Sequence, residues 1–176
     1  MIPQRLCLVD GVHAERACNR EQWLSNVAAL LRPWFQRQGL EIPLRIRIGV
    51  GALSASRRVL GVCHTYADRD GYRHITISPF IDDPVLVAAV LAHELIHAIL
   101  TGDEHHGPRF AAAARRIGFE PPFTRIVLGA ELHAMLTELM RRVGPYPHKA
   151  LCQPGWDSAP AYLDAPRPKV AAVGRG

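Results

Sequence analysis

Residues 83–100, DPVLVAAVLAHELIHAIL, narrow most sharply what this chain can become. Asp83 suits an N-cap and Pro84 the first helical position, where a missing N–H removes nothing the helix uses. The residues after Pro84 are aliphatic or alanine except at His93, Glu94 and His97. The run is too long for a strand and apolar on every side, so it predicts a buried helix ending near Leu100, stopped by Thr101-Gly102. Such a helix must be covered by other layers. It also carries two imidazoles and a carboxyl inward, where burial penalises them unless they have work or partners.

The flanking sequence supplies the layers. Asn19, with Glu21 and Gln22 behind it, predicts a helix start with Trp23, Val27, Leu30, Leu31 and Trp34 on one side. Pro33 is expected to kink that helix or end it early, and Gly39 to terminate it. Apolar and polar residues alternate from Ile42 to Val50, with Arg45 and Arg47 on the other face, as in a half-buried strand that Pro43 starts or places at an edge. Residues 59–79, VLGVCHTYADRDGYRHITISP, read as two strands joined at the Asp70-Gly71 turn. A further helix is predicted from Gly107-Pro108 to Gly118, before Pro121-Pro122 breaks the chain. GAELHAMLTELMRRVG then forms an amphipathic helix with Leu132, Met135, Leu136 and Leu139 inward, and Arg141 and Arg142 at its carbonyl end. The pattern is α+β: a small mixed or antiparallel sheet of about three strands packed on helices. Residues 1–144 make the domain, and 145–176 a proline-rich basic tail, extended or partly disordered, with Tyr146, Trp156 and Tyr162 able to tack parts of it onto the body.

Composition excludes several alternatives. With 48% apolar and 21% charged residues, the chain is globular rather than disordered. No apolar run reaches the roughly 20 residues of a membrane span, and no secretory h-region opens the sequence. Cys7, Cys18, Cys63 and Cys152 make no CxxC pair, which argues for reduced thiols in a cytoplasmic protein. A net charge of +5 and pI near 9.4 permit an acidic partner, DNA among them. No interleaved basic and aromatic stripe demands one.

The polar residues of the apolar helix have a chemistry. Residues four apart share a helix face, so His93 and His97 can aim imidazoles at one ion. A catalytic zinc takes three protein ligands and leaves one position open. Glu94, turned about 100° from His93, stands beside such an ion rather than on it, where a carboxylate can move protons as general base and then acid. His106, at the turn before Gly107, is the favoured third ligand, with Asp103, Glu131 and His105 as alternatives. His13-Ala14-Glu15 lacks the PCxxC that a zinc deaminase requires. His64, His74, His133, Arg109, Tyr66 and Tyr72 read as surface or hydrogen-bonded residues, with Arg109 placed to assist an oxyanion if it faces the site.

HELIHAIL followed by HGPRF resembles the SprT-like zinc metallopeptidases, the family that includes the Spartan DNA–protein crosslink proteases. Residues 61–94 are similar in order to the family's glycine-centred strand, its following strand and its lead-in to the metal helix. The resemblance spans about residues 20–118 and implies a zincin-like domain in a compact stand-alone form such as phage or bacterial genomes carry. It implies His93, His97 and His106 as ligands of one catalytic Zn2+ and Glu94 as the catalytic residue of peptide-bond hydrolysis. The substrate is then a protein or peptide, DNA-associated proteins included. It also implies that an edge strand beside the cleft pairs with extended substrate, for which HITIS, residues 74–78, is the candidate. Many relatives carry a C-terminal zinc ribbon, where this chain has only Cys152. The rival expectation is a non-catalytic module, in which zinc staples helices and a basic surface binds DNA or protein.

Overall fold

A computed structural model describes residues 19–51, 53, 59–64, 66–100 and 105–151. Helix α1 (Arg20–Arg37) opens with a capping box: the Asn19 side chain accepts from the Gln22 N–H at 2.8 Å, and the Gln22 side chain accepts from the Asn19 N–H at 3.2 Å. Contrary to expectation, Pro33 neither ends nor shortens this helix. Its missing N–H leaves the Ala29 carbonyl without a helical donor, yet tertiary packing holds the next turn. Leu31 and Phe35 are fully buried, and the Trp34 indole donates to the Ile117 carbonyl at 3.0 Å.

Strands β1 (Ile46–Val50), β2 (Gly61–His64) and β3 (Arg73–Ile77) form one sheet in the order β1-β3-β2. β2 and β3 are antiparallel across the turn at Gly71 (φ 79°), whereas β1 runs parallel to β3 with Ile48 beside Ile75. The sheet is therefore mixed. β3 is its central strand, paired on both sides, which corrects the expectation that residues 74–78 offer a free edge. Among the described residues, the edge strands are β1 and β2, each paired on one side. Alternation within HITIS marks which face is buried and carries no information on which strands lie to either side.

Helix α2 (Pro84–Ile99) starts as the sequence dictates, with the Asp83 carboxylate accepting from the Leu86 N–H at 2.7 Å. Every residue from Val87 to Ile96 is buried. It packs against the sheet on one side and against α1, α3 (Pro108–Ile117) and α4 (Ala130–Val143) on the others. Each fully buried Leu, Ile, Val or Phe contributes about 1.5–3 kcal/mol, so this helix anchors the core. α3 ends at Gly118 in the left-handed region (φ 112°), whose N–H returns to the Ala114 and Arg115 carbonyls. On α4 the buried residues are Leu132, Leu136, Leu139 and Met140, with Met135 only half-buried. Residues 145–151 run back over the body: Tyr146 is buried against Trp23, and the Leu151 N–H donates to the Pro79 carbonyl at 2.9 Å. Trp156, Tyr162, His13, Glu15, Asp103 and the other three cysteines lie outside the described residues. Among the described residues, no helix is long and apolar enough to cross a membrane.

Candidate metal centre

His93 and His97 lie on consecutive turns of α2, their ring centroids 5.1 Å apart. His106 comes from outside that helix, two residues before α3 begins, and brings its imidazole between the pair. Its Nε2 is 3.0 Å from His93 Nε2 and 3.3 Å from His97 Nε2. One ligand atom from each of the three lies within 4.8 Å of the others, so the group can hold a metal ion. Of the alternative third ligands, His105 and Glu131 do not join the cluster. Glu131 sits exposed in the first turn of α4.

Aromatic rings hold the imidazoles in place. Phe110, 1% exposed, touches all three, with centroids at 4.8 Å from His93, 4.3 Å from His97 and 4.8 Å from His106. Its ring stacks on His97 at 27°, while Phe119 meets His93 edge-on. Gly107-Pro108 starts α3 so that Phe110, on its first turn, faces α2 rather than solvent. HGPRF thus provides a nitrogen donor and the ring that seats it. Sequence reasoning treated Phe110 only as part of a motif.

Burial sets the charge states. It drives His93 down to about 3 and His97 down to about 4, helped by the neighbouring imidazoles, and lowers His106 as well. All three are therefore neutral at ordinary pH, the form that coordinates a metal. The donor set fits zinc: three neutral imidazole nitrogens converging from two directions, in a pocket walled by phenylalanine. Glu94, 6% exposed, is pushed up to about 8 by burial, against the pull of a hydrogen bond from the Cys63 N–H. Cys63 is itself pushed up to about 12 by burial and the adjacent Glu94, so its thiol is inert.

The residues read as bystanders lie elsewhere. His74 bonds Asp68 at 2.8 Å near the β2–β3 turn, an aspartate also fed by the Asp70 and Tyr72 N–H groups and thereby lowered. His64 is exposed, Tyr66 is 76% exposed, and Arg47 lies over the Tyr72 ring at 4.5 Å. His133 lies on α4 and Arg109 is exposed on the first turn of α3. One contact escaped the sequence entirely. Gly61 on β2 stands so close to Glu94 that a β-carbon there would be 2.8 Å from its Cγ and its Oε1. The available signal was a glycine inside a strand pattern, which marks close approach of another group.

No curated protein and no solved structure matches the chain significantly. The sequence model of the SprT-like family matches residues 32–128, a span that runs from the middle of α1 to the segment before α4 and includes the histidine cluster, Glu94 and Phe110. On that match, over more than half its length, the chain belongs to the SprT-like family.

Proposed function

We propose that this protein is a zinc-dependent peptidase hydrolysing peptide bonds of protein substrates. The observation that carries this reading is the convergence of three neutral imidazoles beside a buried carboxyl that ligates nothing in the cluster. A site built only to staple helices has no use for a buried glutamate at that place, which burial penalises.

His93, His97 and His106 would hold one zinc ion, which supplies Lewis-acid chemistry when bound. Glu94 takes the proton of the attacking water and later delivers it to the leaving amine. The Cys63 N–H favours the ionised carboxylate this role requires, and a zinc ion held by the imidazoles would favour it further. Phe110 and Phe119 keep bulk water from one side of the cluster. Extended substrate pairs along β2, an edge strand among the described residues and the strand that touches Glu94, rather than along β3.

Glu94→Gln should retain near-stoichiometric zinc and lose casein cleavage by at least about 10²-fold. His93→Ala with His97→Ala should lose the zinc. Unimpaired cleavage by the glutamine variant, or full zinc in the double variant, sinks the assignment. Cleavage of a DNA-bound protein, compared with and without DNA, separates a general peptidase from one that works on DNA-associated proteins.

A further inference from the structure

We infer that the backbone of β2 fixes where the Glu94 carboxylate stands, with Gly61 as a positioning residue for it; this rests on the reading of Glu94 as general base. The Ser78 N–H donates to the Leu60 carbonyl at 2.9 Å, and the register continues Gly61↔Ile77, Val62↔Thr76, Cys63↔Ile75, His64↔His74. Antiparallel alternation then turns the backbone groups of Val62 and His64 toward β3 and those of Gly61 and Cys63 outward. The outward Cys63 N–H meets the Glu94 carboxylate. Two residues earlier, the Glu94 side chain passes over Gly61, where a β-carbon would stand 2.8 Å from Glu94 Cγ and Oε1 and 2.7 Å from Val90 Cγ1. Carboxylate and strand therefore touch at two successive outward positions, one donating a hydrogen bond and one leaving room.

That room is the reason for glycine here. Gly61 is not among the glycines with positive φ, so its backbone conformation is open to any residue. Neither neighbour has solvent to move into: Val90 is 0% exposed and Glu94 6%. An added methyl group crowds Val90 and the carboxylate alike, and any shift of the carboxylate moves the group whose placement the proton transfers depend on. A misplacement of about 1 Å can lower turnover by about 10²-fold.

The test uses the full-length, zinc-loaded protein. Gly61→Ala is expected to keep its zinc and to lower kcat about 10²-fold with KM within about two-fold of wild type. Amide hydrogen exchange supplies a readout independent of activity. In Gly61→Ala the Cys63 amide should exchange faster while Val62 and His64, bonded into β3, keep their protection. Glu94→Ala, which removes the acceptor and leaves the strand intact, should expose the same single amide, and it decides the matter if Gly61→Ala does not fold. Wild-type kcat in Gly61→Ala overturns the inference, as does loss of protection at all three amides, which would mean the sheet alone requires the glycine. Unchanged Cys63 exchange in Glu94→Ala overturns it too. A wild-type protein that cleaves no peptide removes the peptidase reading alone, and the exchange measurements still judge the geometry.

Discussion

At the scale of single residues, the site depends as much on what seats the imidazoles as on the imidazoles. Phe110 contacts all three rings, so its shape sets their mutual angles. Phe110→Leu removes three carbons from a site that is 1% exposed and should destabilise the fold by about 1–3 kcal/mol. It should also weaken metal binding by about 10–100-fold, as loss of an orienting neighbour does. Competition with a chelator measures this; unchanged affinity would show that the histidines orient themselves. His93 and His97 were legible because four-residue spacing is a local property of one helix. His106 was legible through its pairing with HGPRF, since nothing local says how a turn folds back. Gly61 was not legible, because a glycine in a strand announces crowding without naming the neighbour.

At the scale of elements, boundaries followed the cap residues and tertiary contacts overrode the breakers. Asp83-Pro84, Gly107-Pro108 and Gly118 mark helix ends where the sequence predicts them. Pro33 failed as a breaker because Leu31 and Phe35 are buried on either side of it. Strand order was invisible, since β1 joins β3 from a distant part of the chain and pairs in parallel. Gly118 is the element-scale test. It combines a φ of 112° with a would-be β-carbon 2.8 Å from the Leu132 Cβ, so α3 and α4 approach closely there. Gly118→Ala should cost about 1–3 kcal/mol through backbone strain, with the clash adding to it. Denaturant unfolding measures it, and a neutral substitution would mean the helices part at no cost.

At the scale of the whole molecule, stability responds to pH through the site. In metal-free protein, His93 and His97 titrate near 3 and 4 when folded, against an ordinary 6.5. Between those values the unfolded chain binds more protons, so stability rises with pH and this contribution is complete above about 6.5. Glu94 acts in the opposite sense: raised from 4.5 to about 8, it stabilises below 4.5 and loses that contribution as pH climbs through 8. Two histidines outweigh one carboxyl on the acid side, and the carboxyl acts alone on the other. The melting temperature of chelator-treated protein should therefore peak near pH 6.5 and fall in both directions. A midpoint still climbing from 6.5 to 8 would contradict this. Stability also depends on residues past the last helix. Tyr146, 6% exposed, meets the Trp23 ring edge-on at 4.9 Å, so Tyr146→Ala should cost about 3–5 kcal/mol in unfolding experiments, with Tyr146→Phe close to wild type.

The Trp23–Tyr146 contact also fixes an order of events at the ribosome. Trp23, in the first turn of α1, is covered by chain that comes 121 residues later, where its indole reaches the Gly144 carbonyl. At ordinary elongation rates that interval lasts roughly ten seconds. For that time the nascent chain presents an unshielded indole, and α1 has no partner for its leading end. Chaperone capture of truncated chains should accordingly drop once Tyr146 has left the ribosome and can cover Trp23.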